Sequence, residues 1–171
     1  MLLINHQSDI DIGILETITH KDIAWVAKKE LFDVPFFGLV VRLPKDIALE
    51  RESKTALVKL IKDCKDRLDN DRVIAIFPEG TRTETGTMRS FKPGAKIVAD
   101  KFQLKVQPIV FIATAWHFSN KRKNFRPGTI TAIYLDSFTA DKNDPDWLVK
   151  TQETMQAAYD LELMNHPNYI L

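Results

Sequence analysis

The chain has 171 residues, 44% hydrophobic and 27% charged, with a formal net charge of +1 at pH 7. That balance excludes a disordered chain and fits one domain with a packed core, while a charge so near zero leaves no global field to gather nucleic acid. The single cysteine, Cys64, allows no internal disulfide, which agrees with a reducing compartment, and no run of about 20 apolar residues is present to span a bilayer.

In chain order, the apolar residues 1–4 are strand-like but too few for an export signal. They run into Asn5-His6-Gln7-Ser8-Asp9-Ile10-Asp11, where a helix begins with Ser8 in the N-cap position. Residues 23–27, 47–49, 73–77, 106–113 and 129–135 have the length and β-branched or apolar content of strands. Residues 34–41 are more apolar than an amphipathic helix needs, so burial is expected, with a surface that dips into lipid as the alternative. A helix is predicted over 53–68, with Ser53 as N-cap and Ala56, Leu57, Leu60, Ile61, Cys64 and Leu68 on one face. Loops are expected at 83–92 and 119–128, both at the rim of a site. Asp144-Pro145 opens a further helix running to about residue 163, with proline at its first position. Strands alternating with helices predict an α/β fold, a mostly parallel central sheet flanked by helices, in a single domain over 1–171.

Two constellations carry chemistry. With Ser8 as N-cap, Asp11 falls one turn into the helix and its carboxylate reaches back toward His6. A carboxylate bonded to one imidazole nitrogen fixes the tautomer and leaves the other nitrogen to accept a proton, as a general base must. The same Ser-x-x-Asp spacing is also a capping box that only satisfies helix amides, and both readings stand at this point. The second constellation, Phe77-Pro78-Glu79-Gly80-Thr81-Arg82, closes the strand at 73–77, where open α/β sheets bind ligands. Arg82 offers a fork of donors suited to phosphate, with the Thr81 hydroxyl and the Gly80 amide beside it, and the plain alternative is a solvated polar turn. No Walker loop, dinucleotide fingerprint, Gly-x-Ser-x-Gly elbow or His-Glu-x-x-His is present, and His20, His117 and His166 are scattered, so no metal ligand set is expected. The stretch 116–126 mixes Trp116, Phe118 and Phe125 with Lys121, Arg122, Lys123 and Arg126, which suits anionic headgroups or single-stranded nucleic acid as well as a solvated charged loop.

Taken in order, Asn5-His6-x-Ser8-x-x-Asp11, Ala27-Lys28-Lys29-Glu30-Leu31 with Pro35-Phe36-Phe37-Gly38, Ile47-Ala48-Leu49-Glu50-Arg51, Phe77-Pro78-Glu79-Gly80-Thr81-Arg82 and Val106-Gln107-Pro108-Ile109 resemble the glycerolipid acyltransferase family. Within it the likeness is to the lysophosphatidate (1-acylglycerol-3-phosphate) acyltransferases, and it covers about residues 2 to 113. The resemblance implies a glycerol-3-phosphate acyltransferase-like fold, His6 and Asp11 as the catalytic pair, and Arg51, Glu79, Gly80, Thr81 and Arg82 as the holders of the acceptor, with Lys28 as a further phosphate candidate. It implies transfer of a fatty acyl group from an acyl carrier protein or coenzyme A thioester to the 2-hydroxyl of 1-acylglycerol-3-phosphate, giving phosphatidic acid for phospholipid biosynthesis. The thioester is a co-substrate; no cofactor, metal or nucleic acid is implied. The implied partner is a membrane surface at its cytoplasmic face, met peripherally or through an anchoring segment absent from this chain. Two departures stand out. Asp46 occupies a place where the family usually has glycine, and only a few residues precede the histidine block where the family has apolar helices, so the chain is expected to lack N-terminal membrane-associating helices. A lipid esterase working through the same His6-Asp11 pair on Ser8 or water, and a non-catalytic lipid-binding module, are the competing readings.

Overall fold

The computed structural model describes residues 1–50, 55–166 and 169. In chain order the elements are β1 (Leu2–Ile4), α1 (Ile10–Ile18), β2 (Ile23–Lys28), α2 (Lys29–Phe32), α3 (Phe37–Arg42), β3 (Ile47–Leu49), α4 (Ala56–Asp69), β4 (Val73–Ile76), α5 (Pro93–Phe102), β5 (Lys105–Phe111), α6 (Thr114–His117), β6 (Phe118–Ser119), β7 (Asn124–Phe125), β8 (Ala132–Tyr134), β9 (Phe138–Thr139) and α7 (Trp147–Met164). This is the expected α/β fold, a mostly parallel central sheet flanked by helices. The elements group into two compact units, Met1–Leu2 with Lys21–Ile76, and Leu3–His20 with Phe77–Leu171.

In the first unit β2 pairs in parallel with β3 on one side and β4 on the other. Parallel neighbours need a long crossover, and α4 supplies the one between β3 and β4, packing on both strands with Leu60 and Cys64 buried. Burial pushes the Cys64 thiol up to about 12, with Asp63 adding to the effect. The predicted face of α4 is narrower than its sequence pattern, since Leu57 in the first turn stays exposed. The proposed cap Ser53 lies outside the described residues, and Thr55 at the N-cap position makes no side-chain cap bond. Asp46 accepts the Trp25 N–H on Oδ1 at 3.0 Å and so ties the approach to β3 onto β2.

Residues 34–41 depart from the expectation of burial. Phe36 is 89% exposed, and Val34, Leu39, Val40 and Leu43 are also exposed, while Gly38 and Val41 form the inward side. A helix of six residues offers one face to the fold, so apolar residues all round it cannot all be covered. Gly38 is needed there: a Cβ on it would lie 2.3 Å from the Phe32 carbonyl oxygen, closer than α2 and α3 allow.

In the second unit β1 neighbours β5, and β5 carries two antiparallel partners, β8 against its C-terminal half and β9 against its start. The strand expected at 129–135 is therefore the shorter β8, and it runs antiparallel to its neighbour. Helix α7 packs on β5 through Trp147, Leu148, Thr151, Met155 and Tyr159, a stripe at helical spacing. It begins two residues later than predicted, because Asp144 Oδ1 accepts the Asp146 N–H at 3.0 Å in a side-chain turn instead of capping the helix. Helix α5 was not anticipated; Pro93 opens it and Gln103, at φ 48°, closes it, with the Leu104 N–H returning to the Ala99 carbonyl. The loop at 119–128 contains the short β6–β7 pairing, Phe118 opposite Phe125 and Ser119 opposite Asn124.

Candidate active site

The site is built where β1 ends. Asn5 prolongs the strand with its side chain, donating from Nδ2 to the Phe111 carbonyl at 2.9 Å and accepting the Phe111 N–H on Oδ1 at 2.7 Å. An amide that imitates a backbone pair holds the chain against β5 for one more residue and delivers His6 from a rigid base.

His6 Nδ1 lies 2.8 Å from Asp11 Oδ2, so the sequence-predicted pair is brought together. Asp11 has no solvent exposure, and three further donors compensate its burial: the Gln7 N–H at 2.8 Å and the Ser8 N–H at 2.9 Å on Oδ2, and the Thr114 hydroxyl at 2.5 Å on Oδ1. Both readings of Ser-x-x-Asp are thus realised by one carboxylate, which caps the backbone before α1 and orients the imidazole. With Nδ1–H donating its hydrogen bond to Asp11, Nε2 keeps its lone pair, the arrangement a general base requires. The ring is fixed on a second side by Phe77, stacked at 3.9 Å between centroids with the planes 13° apart. Its side chain remains 16% exposed.

The helix is bounded one residue later than expected, with Asp9 at its N-terminal boundary and no cap bond from that side chain, yet the Ser8 hydroxyl still accepts the Ile10 N–H at 3.4 Å while donating to the Phe118 carbonyl at 2.6 Å. Asp9 is engaged elsewhere: Oδ1 accepts from Arg82 Nη1, and Oδ2 accepts from Asn120 Nδ2 at 2.6 Å. Ser8 and Asp11 thus share the start of the helix, Ser8 accepting the Ile10 N–H and Asp11 the Gln7 and Ser8 N–H groups.

The turn after β4 supplies the second half. Glu79 is buried, and its two carboxylate oxygens accept the His6 N–H and the Arg89 N–H, each at 2.9 Å. The Gly80 N–H, proposed as a phosphate donor, closes the turn onto the Phe77 carbonyl at 3.0 Å, and φ 71° at Gly80 is the left-handed conformation that glycine tolerates. Thr81 is half-buried, and the exposed Arg82 guanidinium pairs with Asp9. The Thr83 N–H donates to the His6 carbonyl at 2.8 Å, so the turn and the histidine are joined at both backbone groups of His6. Lys28 is exposed at the end of β2 in the first unit, level with Leu49 of β3, at the C-terminal edge of parallel strands. Arg51 lies outside the described residues.

Sequence reasoning missed three supports of the pair. Thr114 holds Asp11. Gln7 accepts the Thr114 N–H at 3.2 Å and donates to the Tyr159 hydroxyl at 3.0 Å, and burial raises the Tyr159 pKa above the usual phenol value. Asp9 holds Arg82. Thr114 follows the strand β5, so its place at a strand's C-terminal end was a usable signal; Tyr159, nearly the full chain away in α7, had none. Among the described residues no three His, Cys, Asp or Glu side chains gather as a metal site would require.

Residues 1–112, which include His6, Asp11 and the turn at 77–83, match the family model described as Acyltransferase. The chain belongs to the acyltransferase family. This acyltransferase is 42% identical over 160 residues to the 1-acyl-sn-glycerol-3-phosphate acyltransferase of Helicobacter pylori, covering 93% of the present chain and 68% of that protein. It is 28% identical over 139 residues to the human 1-acyl-sn-glycerol-3-phosphate acyltransferase beta, covering 80% of the present chain and 50% of the human one. Its fold matches the crystal structure of the 1-acyl-sn-glycerophosphate acyltransferase PlsC from Thermotoga maritima with a TM-score of 0.77 at 25% identity, over 95% of this chain and 65% of that one. The chain therefore spans between half and about two-thirds of the length of these relatives.

Proposed function

We propose that this acyltransferase moves a fatty acyl group from a thioester donor to the 2-hydroxyl of 1-acylglycerol-3-phosphate, giving phosphatidic acid. The observation that carries the reading is the His6–Asp11 pair, an oriented base with a free Nε2, in a chain whose relatives are named for that reaction. His6 Nε2 removes the proton of the acceptor hydroxyl as its oxygen attacks the thioester carbonyl. The new C–O bond forms, the C–S bond breaks, and the departing thiolate takes the proton back from the imidazolium. Asp11 stabilises that imidazolium without itself changing protonation. A positioned base of this kind contributes about 10²- to 10⁴-fold, and the rest comes from holding both substrates in register.

Arg82 and Thr81 are the residues we assign to the acceptor's phosphate, with Arg82 first because its fork is exposed within the same unit as His6. Glu79 and the Gly80 amide, whose bonds go to the backbone, are assigned instead to shaping the turn. The donor is a coenzyme A or acyl carrier protein thioester, and the site of action is a membrane surface on its cytoplasmic side. A serine esterase is disfavoured because the Ser8 hydroxyl donates to the Phe118 carbonyl and makes no bond to His6.

The test supplies an acyl thioester and lysophosphatidate together and follows both thiol release and lipid products. Phosphatidic acid formed in step with free thiol is the expected result. Release of free fatty acid alone, or an acyl group trapped on Ser8 by mass spectrometry, would replace the transferase with a hydrolase.

A further inference from the structure

The β6–β7 hairpin lies against the catalytic block and takes no part in the chemistry. Its base is fastened there: Ser8 donates to the Phe118 carbonyl, Asn120 donates to Asp9, and Arg122 pairs with Glu84 at 3.1 Å, where Ser119 also donates at 2.9 Å. These bonds occupy two acids beside the hairpin, Asp9 and Glu84, and its other cations have no acidic partner among the described residues. Lys121 and Lys123 are exposed and have no acidic partner among the described residues, and Lys123 holds φ 50° at the tip. Arg126 lies 4.1 Å over the Trp116 ring and donates to the Trp116 carbonyl, again with no acid. Beside them Phe125 is 77% exposed. A solvated charged turn accounts for the lysines but not for a bare phenyl ring next to them.

We propose that this hairpin is the surface through which the protein rests on an anionic lipid bilayer. Lys121, Lys123 and Arg126 meet the headgroup phosphates, and Phe125 enters the boundary between headgroups and acyl chains. Charge complementarity and the exposed ring point to the same partner, because an interfacial ligand must be anionic outside and apolar just beneath. The inference rests on the proposed lipid function and deepens it: the hairpin is bonded to Ser8 and Asp9, so a bilayer it touches presents its lipids within a few residues of His6.

The test is sedimentation of the full chain with vesicles of phosphatidylcholine alone and of phosphatidylcholine mixed with phosphatidylglycerol. Wild type should bind the mixed vesicles more tightly, and added salt should weaken that binding. Each cation near an anionic surface adds about fivefold, so Lys121→Gln with Lys123→Gln should lose about 30-fold in partitioning, Lys121→Glu with Lys123→Glu more, and Phe125→Ser should weaken binding further. The lysine variants should keep wild-type turnover on a short-chain, monomeric lysophosphatidate, which also shows that they fold. Unchanged sedimentation of the charge-reversed variant overturns the proposal. So does lost affinity for an acyl carrier protein with vesicle binding intact, which assigns the hairpin to a protein partner. Absence of wild-type turnover with the vesicle contrast preserved removes the transferase reading and leaves the lipid surface standing.

Discussion

A buried carboxylate is tolerated only when donors replace water, and each of the four on Asp11 also fixes something else: the imidazole, the backbone before α1, or the residue that follows β5. Thr114→Val keeps the shape and leaves Oδ1 unpaired. It should cost about 1.5–3 kcal/mol of stability, read as a lowered denaturant midpoint, and should lower kcat with acceptor KM unchanged. Glu79 makes the opposite case, a residue assigned to substrate by resemblance whose oxygens are both bonded to backbone amides. In Glu79→Gln an amide NH₂ opposes one of those N–H groups, so kcat should fall about tenfold with little change in acceptor KM; a raised KM at constant kcat would return Glu79 to the acceptor. Under the proposed assignment of Arg82 to the acceptor's phosphate, Asp9 and that phosphate compete for the guanidinium. Asp9→Asn should therefore lower acceptor KM several-fold, and a rise would mean that Asp9 aligns Arg82 for the phosphate.

Among the elements, those written in local pattern were legible. The helix α4 and the strands β2 and β3 follow from apolar spacing alone, because one buried face repeats within a single segment. The exposed α3 was not legible, since apolar content says that burial is favourable and says nothing of whether a six-residue helix has anything to bury against. Helix α5 was hidden by Gly94 and by an N-cap lysine, although Ala95, Val98 and Ala99 carry the buried spacing. In the site, His6 and Asp11 were legible because they are five residues apart, whereas Tyr159 and Thr114 reach the pair only through tertiary packing. Gly38→Ala places a methyl group 2.3 Å from the Phe32 carbonyl and should destabilise the α2–α3 corner by about 1–3 kcal/mol, visible as faster hydrogen exchange in residues 29–43. Cys64, buried and with its thiol pushed up to about 12, should resist alkylation at pH 8 in the native protein and react once it is unfolded; rapid native alkylation would mean that α4 opens.

At the scale of the molecule, the family match spans residues 1–112, while α7, outside it, supplies the Tyr159 contact that steadies Gln7 beside His6 and Asp11. No helix among the described residues is long and apolar enough to cross a membrane. The central proposal is that His6 is the base that activates the acceptor hydroxyl. The direct measurement is single-turnover ester formation from thioester and lysophosphatidate by wild type and His6→Ala, with lysophosphatidate affinity measured in parallel. The predicted result is a loss of about 10²- to 10⁴-fold in the chemical step with affinity retained. Turnover at the wild-type rate in His6→Ala would contradict it.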